Sequence, residues 1–225
     1  DFISSVRPLL GSETELFLSA LSGDASVSLR LNPSKAVRNP MESVFPSKRV
    51  PWSQWGLYLE ERPAFTFDPL FHAGYYYVQE ASSMFVEHVV RELVTKPAVC
   101  LDLCAAPGGK TLKIASDMKG KGILFSNDIN SQRTRALVKN IELSGCTNCV
   151  VLNAPPKDLA LKFTEYFDKI LIDAPCSGEG MFRKDPSAIA SWEKFGPEKC
   201  VLMQDEILEN AHLMLKPGGE IVYST

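Results

Sequence analysis

The chain has 225 residues and a net charge of −3, with 24 lysine and arginine residues against 27 aspartate and glutamate residues. The sequence contains neither an apolar run near the ~20 residues of a membrane span nor a basic start followed by an apolar segment, so it predicts neither a membrane protein nor a secreted precursor. The slightly acidic balance argues mildly against a nucleic-acid-binding role, unless basic residues are concentrated in a local groove.

The cysteines and the two ends of the sequence lead to two expectations: thiols without disulfides or metal, and a chain that is clipped. The six cysteines do not indicate a disulfide framework, because a chain of this size can build its own core. Cys146 and Cys149 have C-x-x-C spacing, but a zinc site of this kind needs a second such pair, so we predict buried or incidental thiols and no metal. The chain begins with Asp1 rather than Met and stops at Thr225 after an apolar run, so we expect it to be clipped, with its C-terminal end truncated.

Residues 1–74 are predicted to form a small α+β domain. Ser12 precedes a run with helical apolar spacing, and residues 26–31 alternate serine with aliphatic side chains, which is typical of a half-buried strand. Prolines recur from residue 40 to residue 69, so further helices there are expected to be short. Four aromatic residues of this domain can stack on bases or can fill the core and the domain interface, and we favour the second role: Trp52, Trp55, Phe65 and Phe67.

Residues 75–225 alternate strands with helices. A helix is predicted over 79–95, strands over 99–103, 122–127, 149–152, 169–173 and 220–223, and helices over 110–118, 131–144 and 198–215. This alternation predicts an α/β domain with a parallel, Rossmann-like sheet and helices on both faces. Ligands of such a sheet bind at the carboxyl ends of its strands.

The turn after the first of these strands consists of small residues. Glycine lets a backbone approach a ligand, and the N–H groups of the following helix point towards it. A phosphate-binding P-loop would need glycine at position 104, where the chain has cysteine, and the dinucleotide motif G-x-G-x-x-G is absent. An S-adenosylmethionine turn and an ordinary strand-to-helix turn both remain open. The predicted cofactor contacts are Cys104, Ala105, Ala106, Pro107, Gly108, Gly109 and Lys110.

Polar residues follow the next two strands. Asp128 stands where a carboxylate can accept hydrogen bonds from both hydroxyls of a ribose, and its alternative role is to stabilise the N-terminus of the following helix. With the turn over 104–110 in place, we favour ribose binding. Asn153, after the third strand, is a candidate for contact with the adenine edge.

A carboxylate and a thiol follow the fourth strand, in the sequence Asp173-Ala-Pro-Cys176-Ser-Gly. Cysteine is often buried, but a thiol on a loop at the ligand edge of a sheet favours chemistry. If the substrate is cytosine, as the family resemblance given below implies, a thiolate that adds to carbon 6 makes carbon 5 nucleophilic towards a methyl group, and a base then removes the proton from carbon 5. We predict Cys176 and Asp173 as catalytic residues, with Asp173 also facing the cofactor and able to support protonation of the base at N3.

Three basic residues have open roles. Lys110 can reach a cofactor carboxylate or an RNA phosphate, or it can remain solvated at the first turn of its helix. Arg183 and Lys184 can contact an RNA backbone or form a salt bridge within their loop.

Residues 102–111, Asp-Leu-Cys-Ala-Ala-Pro-Gly-Gly-Lys-Thr, resemble the cofactor motif of the RNA cytosine-carbon-5 methyltransferases of the Nol/Nop/Sun family. Residues 29–33, 77–84 and 173–180 resemble the bacterial ribosomal RNA small-subunit methyltransferase F group, and the likeness covers nearly the whole chain. The resemblance implies that the cofactor is S-adenosylmethionine and that the substrate is cytosine in RNA, which we expect to be ribosomal RNA. It also implies an N-terminal accessory domain that helps to bind RNA. A monomeric, cytoplasmic protein is expected.

In the resembled family two cysteines share the chemistry. The resemblance implies that Cys176 helps to release the product, while the nucleophile belongs to a Ser-Thr-Cys-Thr motif that would begin at the end of this sequence. We therefore expect the chain as given to lack the nucleophile and to bind cofactor without methylating. Relatives carry an acidic residue soon after the third strand, where this chain has Asn153-Ala-Pro-Pro, so the adenine contact is expected from the backbone. The alternatives to a methyltransferase are a non-catalytic RNA-binding or assembly module and a P-loop NTPase. The cysteine at position 104 argues against the P-loop NTPase.

Overall fold

The computed structural model describes residues 2–36, 46–93 and 98–225. They form two compact units, one of Asp1–Ser26 with Pro175–Gln204 and the other of Val27–Ala174 with Asp205–Thr225. The domain boundary near residue 74 stays a prediction. In the described part of the chain, every helix is too short or too polar to span a bilayer.

The helices and strands follow one another in an order close to the predicted alternation. The described helices are α1 (Phe2–Leu10), α2 (Thr14–Ser22), α3 (Pro33–Ala36), α4 (Pro69–His72), α5 (Ala81–Leu93), α6 (Gly109–Asp117), α7 (Ser131–Ser144), α8 (Pro156–Ala160), α9 (Pro186–Phe195) and α10 (Glu198–Met214). The described strands are β1 (Val27–Leu31), β2 (Ser47–Arg49), β3 (Gly56–Leu59), β4 (Tyr76–Val78), β5 (Ala98–Asp102), β6 (Gly122–Asn127), β7 (Cys149–Leu152), β8 (Phe167–Asp173) and β9 (Leu215–Ser224).

The first unit contains α1, α2 and α9 and is held by aromatic contacts. The ring of Phe2 meets the rings of Phe182 and Trp192 edge to face, at centroid distances of 5.0 and 5.7 Å. Such pairs stabilise beyond the area that they bury. In the same unit Arg183 donates to the Ala20 carbonyl at 3.4 Å, while Asp185 caps α9. An RNA contact of Arg183 and Lys184 stays a prediction.

The second unit begins with an antiparallel four-stranded sheet in the order β2-β3-β1-β4. Its core contains Leu29, Leu57 and Phe65, all at least 93% buried. The predicted core position is therefore confirmed for Phe65. It is wrong for Phe67, the last residue of the same short 3-10 turn, whose side chain is 86% exposed because successive residues of the turn point in different directions.

The rest of the second unit is the predicted parallel sheet, with five strands in the order β7-β6-β5-β8-β9. Successive side chains of a strand point to opposite faces of the sheet, so a continuous apolar run such as β5 has buried side chains on both faces. Leu101 and Ile170 pack on one face with residues of α8 and α10, and Cys100 and Leu171 pack on the other with residues of α5 and α6. The fold prediction is confirmed: a Rossmann-like sheet with helices on both faces, together with an N-terminal α+β region.

The two sheets of this unit are joined at the end of α7. Asn32 Nδ2 donates to the Ser144 carbonyl at 2.9 Å, and Lys35 Nζ donates to the Leu143 carbonyl at 2.7 Å. The last carbonyls of a helix have no partner within the helix and carry partial negative charge, so an amide and an ammonium are suitable donors. The N-terminal sheet is thereby fixed beside the elements that carry the predicted cofactor turn.

Candidate cofactor-binding cleft

The turn between β5 and α6 requires small residues. Gly108 has φ of +114° at the N-terminus of α6, a conformation that favours glycine. A Cβ atom on Gly108 would lie 3.0 Å from Leu137 Cδ1, and one on Gly109 would lie 3.1 Å from Tyr77 Cε1. Side chains at these two positions would therefore press on α7 and β4. The Ala106–Pro107 peptide bond is cis.

This turn forms one wall of a solvent-connected cleft of about 260 Å³. The opposite wall comes from the end of β4 and the start of α5, through residues such as Tyr77, Gln79 and Ser83. The predicted site residues that line the cleft are Cys104, Ala105, Ala106, Pro107, Gly109, Lys110 and Asp173. Residues from the ends of β4, β5 and β8 and from the starts of α5 and α6 thus meet at the carboxyl edge of the parallel sheet, where the topology predicts a ligand site.

An ion pair crosses the cleft. Lys110 Nζ donates to Asp173 Oδ2 at 2.6 Å, while Asp173 Oδ1 accepts from Ser224 Oγ at 2.8 Å. The side chain of Lys110 is only 14% exposed, so the interpretation of a solvated lysine is wrong. Its contact with a cofactor carboxylate or an RNA phosphate stays a prediction.

Asp102 lies at the bottom of the cleft and is fully buried. Its Oδ2 accepts from Thr111 Oγ1 at 2.6 Å, whereas Oδ1 has no hydrogen-bond partner in the described part of the chain. Burial raises the pKa of this carboxyl to about 7, against the opposing effects of the Thr111 hydrogen bond and the Lys110 charge. A buried acceptor without a partner is costly, and an ammonium or hydroxyl group bound in the cleft can satisfy it.

Arg30 holds the cleft together from β1. Its Nη1 donates to Gln79 Oε1 at 2.7 Å and to the Gly109 carbonyl at 2.8 Å, and the residue is 4% exposed. Arg30, Gln79 and Asp102 were not predicted as site residues from the sequence. The signal was present, because all three fall in the segments that carry the family resemblance.

Asp128 supports the turn from outside the cleft lining. Its Oδ2 accepts from the Ala106 N–H at 3.2 Å and lies 3.4 Å from Arg133 Nη2, and its Oδ1 accepts from the Asn130 N–H at 2.9 Å. The cap of α7 is Asn130, whose side chain accepts from two backbone N–H groups. Stabilisation of the helix N-terminus, the alternative role considered for Asp128, therefore belongs to Asn130. Ribose binding by Asp128 stays a prediction.

Asn153 is engaged with the same segment. Its Nδ2 donates to the Asp128 carbonyl at 2.6 Å and lies 3.3 Å from Thr134 Oγ1. The side-chain amide nitrogen therefore fixes the backbone at Asp128. Adenine recognition by the backbone near Asn153 stays a prediction.

The two thiols of the predicted site have different environments. Cys104 lines the cleft, and burial raises the pKa of its thiol to about 12. Cys176 is exposed on the loop that follows β8, and it belongs to the first unit. Over residues 2–36, 46–93 and 98–225, no three His, Cys, Asp or Glu side chains are grouped so that they could hold a metal ion.

Comparison with known proteins assigns the chain to a family. The family model for 16S rRNA methyltransferase RsmB/F matches residues 93–225, and the model for the N-terminal domain of 16S rRNA methyltransferase RsmF matches residues 1–81. The chain is 33% identical over 236 residues to ribosomal RNA small subunit methyltransferase F of Pectobacterium atrosepticum, and 34% identical over 238 residues to that of Shewanella piezotolerans. These matches cover 100% of this chain and 49% and 50% of the relatives, so the chain spans about half their length.

Solved structures agree with the fold. A methyltransferase homologue from Pyrococcus horikoshii superposes with a TM-score of 0.76 at 31% identity, covering 95% of this chain and 68% of that protein. NSun6 from the same organism superposes with a TM-score of 0.79 at 19% identity, covering 98% and 81%, which supports the fold alone. The match of the RsmB/F model to more than half of the sequence is decisive: the chain belongs to the RsmB/F family of 16S rRNA methyltransferases.

Proposed function

We propose that this chain carries the cofactor-binding part of an S-adenosylmethionine-dependent methyltransferase that modifies carbon 5 of cytosine in ribosomal RNA. The observation that carries the proposal is the buried carboxylate of Asp102 at the bottom of the cleft, whose Oδ1 has no partner among the described residues. The names of the curated relatives support ribosomal RNA as the substrate.

The cleft residues fit the chemical groups of S-adenosylmethionine. The cleft has a volume of about 260 Å³, close to the lower end of the usual range for small-molecule sites, roughly 300–1,000 Å³. Asp102 would accept from the α-ammonium group, and Lys110 would face the carboxylate. Asp128, which supports the turn at Ala106 without lining the cleft, would accept from the ribose hydroxyls. The turn lacks a phosphate cradle, which suits a cofactor without phosphates. When bound, S-adenosylmethionine supplies an electrophilic methyl group.

The remaining residues act on the base. A base reaches such a site only after it leaves its stack. Asp173, held by Lys110 and Ser224, would hydrogen-bond the cytosine and support protonation at N3. A thiolate would add to carbon 6. Following the family resemblance, we propose that this thiol belongs to a Ser-Thr-Cys-Thr motif and that Cys176 helps to release the product.

Calorimetric titration with S-adenosylmethionine tests the cofactor site. We expect the wild-type chain to bind, and Asp128→Ala to bind about tenfold more weakly or worse, because a charged hydrogen bond contributes roughly 1.5–3 kcal/mol. Asp24→Ala, a change at an exposed carboxylate, is the matched control and should bind like the wild type. Absence of binding by the folded wild type, or equal binding by Asp128→Ala, would count against the proposal.

The cytosine chemistry has a separate test, in a chain that continues through the Ser-Thr-Cys-Thr motif. RNA that contains 5-fluorocytidine should form a denaturation-resistant adduct, because fluorine replaces the proton that must leave carbon 5. Cys176→Ala should accumulate an adduct with unmodified RNA, because release is impaired. Binding of cofactor and RNA without any adduct would favour a non-catalytic RNA-binding module instead.

A further inference from the structure

A second cavity, distinct from the cofactor cleft, lies beside β4 within the second unit. Its volume is about 470 Å³, which is within the usual range for small-molecule sites, roughly 300–1,000 Å³. Arg62, Thr66 and Phe71 line it from the segment before β4, Tyr77 lines it from β4, and Asn140 lines it from α7. We call this cavity the Arg62 groove.

The Arg62 groove and the cofactor cleft share a wall. Tyr77 and Val78 line both cavities. The Tyr77 ring also packs against Ala106 of the cofactor turn and against Leu137 of α7. A strand of RNA whose target base enters the cofactor cleft can therefore extend along Tyr77 into the groove.

The groove favours an anion although the chain has a net charge of −3. Among the described residues, no acidic side chain lines the groove, and Arg62 brings a positive charge to it. The guanidinium carbon of Arg62 lies 5.5 Å from the centroid of the Phe65 ring, and this cation–π contact holds the side chain at the groove. In the described part of the chain, the guanidinium has neither a hydrogen bond nor an ion pair. Its planar set of donors fits the oxygens of a phosphate group.

Other polar groups of the groove are also available to a ligand. The hydroxyl groups of Thr66 and Tyr77 have no partner among the residues that the structure describes. Asn140 Nδ2 donates to the Pro107 carbonyl at 2.8 Å, which leaves Asn140 Oδ1 as an acceptor. Burial raises the pKa of the Tyr77 hydroxyl, so this group stays protonated and can donate. The aromatic rings of Phe71 and Tyr77 add surfaces on which a base can stack.

We propose that the Arg62 groove binds one unstacked nucleotide of the RNA strand, adjacent to the nucleotide whose base enters the cofactor cleft. Arg62 pairs with a phosphate of this neighbouring nucleotide, and its base lies against the ring of Tyr77 or Phe71. This inference rests on the proposed function, because it requires RNA as the substrate. Extraction of the target base removes a stacking partner from its neighbours, so a groove that holds one neighbour lowers the cost of extraction.

Fluorescence anisotropy with a short, labelled single-stranded RNA measures the contribution of the groove. Arg62→Met removes the charge, keeps most of the side-chain bulk and should weaken RNA binding about tenfold, because a charge-assisted hydrogen bond is lost. Arg135→Met is the matched control. It removes the same charge from an exposed position of α7 that does not line the groove, and it should weaken binding by no more than about twofold. Thermal melting of each variant confirms that it is folded.

Photo-cross-linking locates the contact. The probe is the same RNA with 4-thiouridine on either side of one cytidine, and mass spectrometry after tryptic digestion is the readout. The peptide 50–91 contains every lining residue of the groove except Asn140. We expect a cross-link in this peptide, with fragment ions that place it at Phe71 or Tyr77. The cross-link should be largely lost in Arg62→Met and retained in Arg135→Met.

Three results would overturn the proposal: no RNA binding by the folded wild type, equal binding by Arg62→Met and Arg135→Met, or cross-links confined to residues outside the groove. Titration of the same proteins with S-adenosylmethionine separates this inference from the proposed function. Arg62→Met should bind the cofactor like the wild type, because Arg62 does not line the cofactor cleft. Absence of cofactor binding by the folded wild type counts against the proposed function, whereas normal cofactor binding without an effect of Arg62 on RNA counts against the groove alone.

Discussion

Lys110 Nζ lies 2.6 Å from Asp173 Oδ2, so an ion pair joins the first turn of α6 to the carboxyl end of β8. The same ammonium lowers the pKa of Asp102, which the nearby carboxylates of Asp173 and Asp128 raise. Three acidic groups thus converge near one lysine. The protonation state of Asp102 depends on the balance between the Lys110 ammonium and these carboxylates. The expected effects of pH and of replacing Lys110 both follow from this balance.

Asp102 should make the stability of the protein depend on pH. Its pKa is raised from 3.8 to about 7 in the folded state, so between these values the folded chain holds a proton that the unfolded chain has lost. The stabilising contribution is complete below pH 3.8 and disappears as the pH rises through 7. Asp102→Asn keeps an acceptor for Thr111 and removes the titration. Relative to this variant, the wild type should lose on the order of 3 kcal/mol between pH 4 and pH 8. Urea unfolding of both proteins across this range measures the difference, and parallel curves would contradict the prediction.

Lys110→Met should move that transition to higher pH. Without the ammonium, the charged form of Asp102 is less stable, so its pKa rises further. The variant should also lose about 1 kcal/mol of stability because the Asp173 ion pair is removed. Lys121→Met, at an exposed lysine, is the control, and its pH profile should match that of the wild type. An unchanged midpoint in Lys110→Met would show that Lys110 does not act on Asp102.

Much of the sheet could be predicted because strands buried on both faces are continuous apolar runs. The bounds of β6 and β7 coincide with the predicted ranges. The N-terminal strands β2, β3 and β4 were not predicted, because three- and four-residue strands separated by prolines leave no readable period. The association of residues 175–204 with residues 1–26 was also missed, since contacts such as Phe2 with Trp192 join distant segments.

The site was predictable where its chemistry is local. The small residues of the turn and the strand-end position of Asp173 follow from sequence and topology. Arg30 and Asp102 were missed because each lies inside a strand, where a charged side chain gives no sign of burial. Their partners, Gly109 and Thr111, become neighbours only when β1, β5 and α6 pack together.

Gly74 should be intolerant of any side chain. It has φ of +67°, and a Cβ atom there would lie 2.0 Å from the Leu143 carbonyl oxygen, which is backbone and cannot turn away. Gly145 has φ of +77°, but no described atom lies within 4 Å of a Cβ atom built there, so a side chain would meet the same backbone strain without the clash. Gly145→Ala should cost about 1 kcal/mol. Gly74→Ala should cost roughly 2 kcal/mol more, because it separates the N-terminal sheet from α7. Chemical denaturation of both variants gives the comparison, and equal losses would mean that the contact at Leu143 does not matter.

Arg30→Lys should destabilise the protein although it keeps the charge. The guanidinium donates both to Gln79 Oε1 and to the Gly109 carbonyl from a 4% exposed position, and an ammonium on a flexible stem lacks the planar fork that reaches both acceptors. A buried acceptor left without a donor costs roughly 1–3 kcal/mol. Arg49→Lys, at an exposed arginine, should change stability by less than about 0.5 kcal/mol. Urea unfolding measures both losses. Because the Gly109 carbonyl lies at the start of α6, Arg30→Lys should also weaken S-adenosylmethionine binding, and a variant that loses neither stability nor binding would separate β1 from the cofactor cleft.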